Sequence, residues 1–427
     1  MASAPTAYVV SQGEELLTGL TLDTNAWFLC RSLTEMGLVV RGVITAGDRL
    51  EEIEGALLRA TTGADVVVCT GGLGPTTDDL TSEAAARAFG RPLVHDDEAM
   101  AQVQARYDAV GRAMAPSNRK QASMPTGAAL LVNRQGTAPG FSIDVGQGRL
   151  YCLPGVPSEM KSMFAEIVSP DVRAFVAIDP PLRHTFRVMG QGESQLQGLL
   201  GDVPERFPGV TLGFRAQMPE NHVKLVAEPA TPGWDDAVAL VRERLGRDCF
   251  TEDPTEELAA VIGRLLLARG HTLATAESCT GGWVAHLIVS VPGSSAWFER
   301  GWVTYSNRSK REEVGVPAAV LEEHGAVSQE TARAMADGAR AAAGADWGVS
   351  VTGVAGPDGG SPDKPVGTVW VAIAGPTGTR DRQLQLGARD RTMNRRFSTW
   401  LALEMLRRQL LRTPVPEAPQ PGPETVP

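Results

Sequence analysis

Cysteine is scarce and scattered in this chain. Cys30, Cys69, Cys152, Cys249 and Cys279 stand singly, none in a Cys-x-x-Cys pair, and their number is odd. That pattern excludes a disulfide framework and a zinc ribbon, and it predicts reduced thiols in a cytoplasmic protein. Long apolar runs are missing too. A membrane helix needs roughly 18 consecutive apolar residues, and the oiliest stretch, Leu258 to Ala268, is broken by Gly263 and Arg264. No basic-then-apolar leader opens the chain, so neither export nor a membrane partner is expected. Nor is there a basic surplus. Forty Lys and Arg face 50 Asp and Glu, a formal net charge of −10 with a pI near 5.3, which argues against a protein that chiefly coats nucleic acid. Aromatics reach only 5%, whereas glycine is plentiful at 46 residues. At roughly 150 residues per domain, the 427 residues predict about three domains with real cores.

The first 172 residues alternate β-branched runs with helical spacing. Tyr8–Val10, Val39–Ile44, Val66–Cys69 and Leu150–Leu153 read as buried strands, and Asn25–Met36, Leu50–Thr61 and Thr81–Phe89 as helices. Such alternation predicts a parallel sheet covered on both faces. Pro180 and Pro181 mark a linker. From 173 to 252 a small α+β unit is predicted: strands His184–Val188, Val210–Arg215 and His222–Ala227, with helices Glu193–Leu200 and Asp235–Leu245. It is short of core and expected to pack on a neighbour. Asp253-Pro254-Thr255-Glu256 then carries a capping acid, a proline and a glutamate in helix-start order. A second α/β domain over 253–412 follows, with helices at 281–290, 328–343 and 393–411 between strands at 272–276, 299–304, 347–352 and 366–374. The fifteen residues from Thr413 hold six prolines and read as a disordered tail. The expected fold class is therefore α/β, two three-layer domains joined by a small α+β unit.

Two constellations carry chemistry. In Thr275-Ala276-Glu277-Ser278-Cys279-Thr280-Gly281-Gly282, a strand runs into a helix. Such a junction exposes one side chain and aims backbone N–H groups at one point. Ser278 is either a helix cap, the commoner role of such a serine, or a nucleophile on an elbow that lacks the GxSxG pattern. Tyr305 falls near a strand end and Lys310 in the loop after it. A desolvated lysine beside a tyrosine can act as the base a serine needs; the alternatives are a solvated lysine and a half-buried packing tyrosine. His271, His286 and His324 read as structural. A third segment, Ser350-Val351-Thr352-Gly353-Val354-Ala355-Gly356-Pro357, is another strand entering a glycine turn, at the sheet edge where α/β proteins bind ligands.

The other constellation is Thr70-Gly71-Gly72-Leu73-Gly74-Pro75-Thr76-Thr77-Asp78-Asp79, a buried strand feeding three glycines and two acids. Bare backbone can wrap an anion there, although the GK[ST] ending of a Walker loop is absent. Two acids beside a phosphate call for a hard divalent cation between them. Asp79 reads equally as a helix cap. Gly13-Glu14-Glu15, Asp23-Thr24-Asn25, Asn118-Arg119-Lys120-Gln121, Gly136–Gly140 and Pro154–Met160 accompany it, and the cations could meet a pyrophosphate.

Taken in order, these blocks resemble the CinA family. Residues 1 to about 170 are similar to its MoaB/MogA-like molybdopterin-binding-fold domain, and residues 255 to 410 to its nicotinamide mononucleotide (NMN) amidohydrolase domain. Arg187–Ser194 and Gly213-Phe214-Arg215 match the KH-like unit between them. For the C-terminal domain the resemblance implies catalytic Ser278, Lys310 and Tyr305, with Lys310 linked to the serine through Tyr305. It implies an oxyanion site around Cys279, Thr280 and Gly281, and substrate contacts at Thr352 and Gly353. The family's G-D-R segment reads Gly387-Ala388-Arg389-Asp390-Arg391 here, so either Arg389 or Arg391 is expected on the phosphate. For the N-terminal domain it implies ADP-ribose hydrolysis to AMP and ribose 5-phosphate, with a divalent metal (Mg, Mn or Co) and possible help from potassium. Asp78 is the first choice of metal ligand, with Glu14 and Asp48 after it. Gly71, Gly72, Gly74, Pro75, Thr76, Asn25 and Lys120 are the substrate-binding set. Pterin binding or adenylylation is the runner-up there, and a non-catalytic nucleotide-binding scaffold the rival for the whole chain. A homodimer is expected. KH recognition of nucleic acid uses a GXXG loop; none is read between 183 and 250, so a spacer or dimerisation role is preferred.

Overall fold

The computed structural model describes residues 4–176, 179–387 and 389–414. The chain divides into two compact units, Met1–Leu182 and Arg183–Pro427.

In the first unit, strands β1 (Thr6–Gln12), β2 (Val39–Ala46) and β3 (Val66–Thr70) build a sheet. A short pair stands apart, β4 (Leu93–His95) with β5 (Ser123–Pro125). The sheet is completed by β6 (Ala129–Leu131), β7 (Gly140–Val145) and β8 (Gly148–Leu153), in the order β2-β1-β3-β8-β7-β6. The first four strands in that order run parallel; β7 and β6 are antiparallel additions. Every residue of β3 is buried, as a central parallel strand covered on both faces requires. Alternate residues feed two cores. Val10, Val67 and Cys69 meet Ile53 and Leu57 of helix α3 (Leu50–Thr62) and Ala84 and Ala85 of α4 (Thr81–Ala88). Val9, Val66 and Val68 meet Leu29 and Leu33 of α2 (Thr24–Glu35) and Met160 of α6 (Pro157–Met163). A short α1 (Glu14–Leu17) follows β1, α5 (Asp97–Ala109) precedes the 3-10 turn Pro116–Ala122, and α7 (Ser169–Val176) ends the fold.

The second unit contains two sheets. β9 (Leu182–Met189), β10 (Thr211–Gln217), β11 (Glu220–Ala227) and β12 (Cys249–Thr251) form one, in the order β10-β11-β9-β12, flanked by α8 (Glu193–Leu200), α9 (Val203–Arg206) and α10 (Trp234–Leu245). Met189 and Phe250 from this sheet enter the same core as Leu258, Trp297 and Leu406 further along. A buried Arg187–Glu220 pair also reaches forward, Arg187 Nη1 donating to the Glu256 carbonyl at 2.6 Å. The predicted shortage of core is met by sharing one. A Gly-x-x-Gly string does occur here, contrary to the sequence reading: Gly198-Leu199-Leu200-Gly201 closes α8, and Leu196 and Leu200 are fully buried. It is built into a helix end and forms no open clamp.

The larger sheet has β13 (Leu273–Glu277), β14 (Phe298–Val303), β15 (Trp347–Gly353), β16 (Thr368–Gly375) and β17 (Gly378–Gln385), in the order β14-β13-β15-β16-β17. β14, β13 and β15 are parallel; β16 and β17 are antiparallel. One face packs on α11 (Leu258–Leu267), α12 (Trp283–Val289) and α16 (Arg391–Leu410), the other on α13 (Asn307–Val314), α14 (Ala318–His324) and α15 (Gln329–Ala343). Gly263 sits in α11 because a Cβ there would stand 2.8 Å from the buried Trp297 ring. The glycine forgoes about 1 kcal/mol of helix propensity and admits Trp297, one of two buried tryptophans in this core.

Three expectations are corrected. Asp253 does not cap α11: its carboxylate closes a local turn onto Thr255 N at 2.7 Å, and the helix starts at Leu258, where the apolar face begins. The segment after β14 is not a loop throughout, because Ser306 caps α13, which carries Lys310. Thr413 is held in place, its carbonyl accepting from Arg269 Nε at 3.1 Å and Nη2 at 2.9 Å. The rest of the proposed tail, from 415, lies outside the described residues, as does Ala388. Among the described residues no helix is long and apolar enough to cross a membrane.

Candidate functional sites

Ser278 follows β13 directly. Its N–H donates to the Val351 carbonyl of β15 at 2.9 Å, and the preceding carbonyl, of Glu277, accepts from Thr304 N beyond β14 at 2.7 Å. The serine is thereby pinned between both neighbouring strands at their carboxyl ends. On the same side, α13 delivers Lys310 by a local device. Ser306 caps the helix; Gly315 in left-handed conformation ends it with its N–H on the Arg311 carbonyl at 3.1 Å, an αL closure, and Val316 N bonds back to the Lys310 carbonyl at 3.0 Å. Lys310 is 1% exposed, its Nζ 3.1 Å from Ser278 Oγ and 2.7 Å from the Thr304 carbonyl. No carboxylate is hydrogen-bonded to it among the described residues. Burial therefore disfavours its charged form and pulls the pKa down to about 8. A neutral amine here can donate one hydrogen to Thr304 and present its lone pair to the serine hydroxyl.

The turn after Ser278 allocates its N–H groups unevenly. Val284 N and Ala285 N, at the start of α12, both donate to the Glu277 carboxylate, at 3.0 and 2.8 Å, and Glu277 is 1% exposed. Gly281 N donates to the Ser278 carbonyl at 3.1 Å. Cys279 N, Thr280 N and Gly282 N accordingly remain, with no acceptor among the described residues. Of the three positions expected at an oxyanion site, Gly281 drops out, its role being the left-handed turn (φ +61°). Burial pushes the Cys279 thiol up to about 12, so it is no competing nucleophile.

Tyr305 does not stand between Lys310 and Ser278. It is 65% exposed and its hydroxyl lies 3.4 Å from Arg391 Nη2. The amine needs no relay, since α13 brings it to the serine directly. Arg391 ties this corner together, Nη1 donating to the Gly356 carbonyl at 2.6 Å. Arg389 lies over the Phe397 ring at 4.6 Å. Thr352 is fully buried and its hydroxyl donates to the Ala326 carbonyl at 2.7 Å, so it braces the strand end; Gly353 packs against Val369. Two residues escaped the sequence reading. Asn394 Nδ2 reaches the Ala355, Gly387 and Arg389 carbonyls, and Arg395 Nη2 holds the Thr280 carbonyl at 2.8 Å. Their signal was a polar face on the first turn of a helix whose partners are distant in sequence.

In the first unit, a cavity of about 410 Å³ opens at the carboxyl ends of β1, β3 and β8. Gly71, Gly72, Gly74 and Pro75 line it, together with Asp48 and Asp78. Gln12 organises the floor. Its Nε2 donates to Asp48 Oδ1 and to the Asp78 carbonyl, both at 3.1 Å, and its Oε1 accepts from Thr81. A Cβ on Gly72 would fall 1.8 Å from that Oε1, which is why glycine stands there. Asp79 accepts from the Thr76 N–H at 2.8 Å and from its hydroxyl, closing the loop on itself. The Thr76 side chain, then the backbone, hold the exposed Asp78 carboxyl below its ordinary range. Lys120 Nζ donates to the Thr76 carbonyl at 2.7 Å, bracing the loop. Asn25 Nδ2 ties the Gly155 carbonyl (2.8 Å) to Thr70 and does not line the cavity. Glu14 does not line it either: its carboxylate turns toward Gly47, and Glu15 takes the wall. Among the described residues, no three His, Cys, Asp or Glu side chains converge as a metal cage. Of the expected trio, Asp48 and Asp78 line the cavity and Glu14 does not; Glu15, Asp79 and Glu159 line it as well. Two carboxylates suit a cation that keeps water and phosphate oxygens in its other positions.

Comparison with known proteins bears on both units. The family described as probable molybdopterin binding domain matches residues 8–174, and that described as CinA C-terminal domain matches 255–410. A CinA-like protein of Anaeromyxobacter dehalogenans is 44% identical over 408 residues, covering 93% of this chain and 98% of its own. The chain belongs to the CinA family. A second CinA-like protein, from Myxococcus xanthus, is 43% identical, with 94% of this chain and 97% of its own covered. Among solved structures, the competence/damage inducible protein CihA from Agrobacterium tumefaciens is 42% identical over 36% of this chain and 93% of its own, with a TM-score of 0.35. CinA from Thermoplasma acidophilum is 38% identical over 39% of this chain and 98% of its own, with a TM-score of 0.37. The CinA architecture seen here is the α/β class with two sheet-centred domains read from the sequence.

Proposed function

We propose that the C-terminal domain is a serine amidohydrolase that deamidates NMN to nicotinate mononucleotide and ammonia. The observation that carries this reading is the buried amine of Lys310 at 3.1 Å from Ser278 Oγ, with no carboxylate hydrogen-bonded to it among the described residues. Lys310 takes the hydroxyl proton as Ser278 Oγ attacks the carboxamide carbon. The N–H groups of Cys279 and Thr280 receive the developing oxyanion, an effect worth about 3–4 kcal/mol per donor in well-studied enzymes. Lys310 returns the proton to the leaving nitrogen, ammonia departs, and a water deprotonated by the same amine hydrolyses the ester. Arg391 and Tyr305 form the cationic, open side suited to the phosphate. Product analysis with NMN tests this directly: wild type releases ammonia and Ser278→Ala does not. Ammonia release surviving in Ser278→Ala would remove the nucleophile.

A second reading, for the N-terminal domain, rests on the glycine-lined cavity that holds Asp48 and Asp78. We infer hydrolysis of ADP-ribose to AMP and ribose 5-phosphate. A divalent cation held by Asp78 and Asp48 would supply charge neutralisation for the pyrophosphate. The chain's own part is to fix the glycine loop through Gln12, Thr81 and Lys120. AMP formed only with added metal, and lost in Asp78→Ala, supports this; tight pterin binding without hydrolysis would replace it. Association as a homodimer belongs to the same proposal and is read from light scattering.

A further inference from the structure

A groove of about 470 Å³ lies in the second unit, where the ends of α10, α11 and α16 approach one another. Arg247, Arg264, Arg407, Arg408 and Arg412 line it, with Phe250 beneath. No carboxylate is among the lining residues, in a chain whose formal charge is −10. Behind the wall, Arg264 pairs with Glu256, Arg407 with Glu404, and Arg408 with Glu404 and Asp248. Each uses Nε and Nη2 for these bonds, so among the described residues Nη1 is left over in all three. Arg247 and Arg412 are exposed and their guanidiniums have no partner among the described residues.

Arginines gather at helix carboxyl ends in any case, where they answer the helix dipole. Magnitudes show that this is not the whole account. The three acids balance three of the arginines, and the ends of α10 and α16 contribute about half a negative charge each. A net positive charge and a set of forked donors remain. The floor is apolar, with Val261 and Leu265 beside Phe250, and Leu411 is 47% exposed on the rim. Guanidiniums match phosphate oxygens in pairs, and the volume falls within the range of small-ligand sites.

We propose that this groove binds a phosphate monoester of nucleotide size, its phosphate on the arginines and its ring over the apolar floor. It is separate from the Ser278 site: α16 spans 20 residues, about 30 Å, with Arg391 at one end and Arg408 in the last turn at the other. The proposal is independent of the amidohydrolase reading.

The test is equilibrium binding of AMP to the full chain at low salt, in a background carrying both Asp78→Ala and Arg391→Ala, which weaken the two other places where a nucleotide is proposed to bind. Wild-type groove residues are expected to bind AMP with an affinity that falls steeply with salt. Arg247→Glu with Arg412→Glu should weaken binding more than tenfold, without moving the melting temperature, and the double Lys variant should fall between. Inorganic phosphate should bind at least tenfold more weakly than AMP. Equal affinity of the Glu double variant and its parent overturns the site. Equal affinity for phosphate and AMP overturns the nucleotide class, as does single-stranded RNA binding that competes AMP away at equal nucleotide concentration.

Discussion

Replacing Lys310 with methionine separates the energetic and catalytic consequences of burying an amine. Methionine keeps most of the side-chain length and cannot titrate. In the folded chain Lys310 loses its proton near pH 8 in place of 10.5. At about 1.4 kcal/mol per tenfold in proton affinity, that difference corresponds to about 3 kcal/mol. The unfolded chain holds the proton up to about 10.5, so between pH 8 and 10.5 it binds more protons than the folded chain, and stability rises with pH. Below pH 8 both states are protonated and the folded chain bears the whole desolvation penalty. Lys310→Met removes that slope. It also strips the Thr304 carbonyl of its Nζ donor, which costs about 1–3 kcal/mol at every pH. Urea midpoints measured from pH 7 to 10.5 should therefore show wild type gaining about 3 kcal/mol on the variant across the window. In parallel, wild-type deamidation should rise through an apparent pKa near 8, and the variant should be at least about a hundredfold slower. Parallel stability curves would refute the desolvated amine, and with it the base assigned to Ser278.

Glu277→Gln leaves one acceptor for the two N–H groups of α12 and turns an NH₂ against the other; it should cost about 1–3 kcal/mol of stability and lower kcat more than it changes KM, as read from melts and steady-state kinetics. Tyr305→Phe should raise KM for NMN and leave the pH profile of kcat unchanged, because the hydroxyl meets Arg391 and not Lys310; a shifted profile would restore the relay. Gly72→Ala should abolish AMP formation from ADP-ribose and spare ammonia release from NMN, since its Cβ collides with Gln12 and φ of +66° disfavours a side chain. Gly263→Ala should drive Trp297 from its seat and destabilise the second unit by about 1–3 kcal/mol, seen as an earlier fluorescence transition.

The sequence carried the central parallel strands and most of the core helices because their signals are local, but it missed α5, whose face is largely polar, and the antiparallel strands β7 and β17. Buried β-branched runs marked β1, β3 and β15, and Glu193–Leu200 was read to the residue. It carried Ser278 and Lys310 as candidates, since both residue types are rare partners in a chain with few histidines. It could not place the amine. α13 is a polar, eight-residue helix whose only buried residues are Lys310 and Val314, so its apolar periodicity is nearly blank. Tyr305 entered the relay through the family resemblance, and its exposure and its contact with Arg391 place it away from the amine. Gln12, Glu277 and Asn394 were missed because each works through backbone groups contributed by segments far away in the chain, and such geometry leaves no pattern in the linear order. Glu14 falls off the cavity for a similar reason: Glu14 and Glu15 are adjacent, and only the turn after β1 decides which one faces it.

The unbroken run of α16 makes its length a matter of phase. Each residue advances a helix by about 100°, and this one must seat Leu403, Leu406 and Leu410 in the core while Arg391 and Asn394 meet the loops beside Ser278. A single-residue deletion near its middle would swing one half against the other, so the tail end and the head end could not both be seated. Only changes of about seven residues, two full turns, keep both in register, and natural length variation in this chain should therefore collect in the turns that flank the helix.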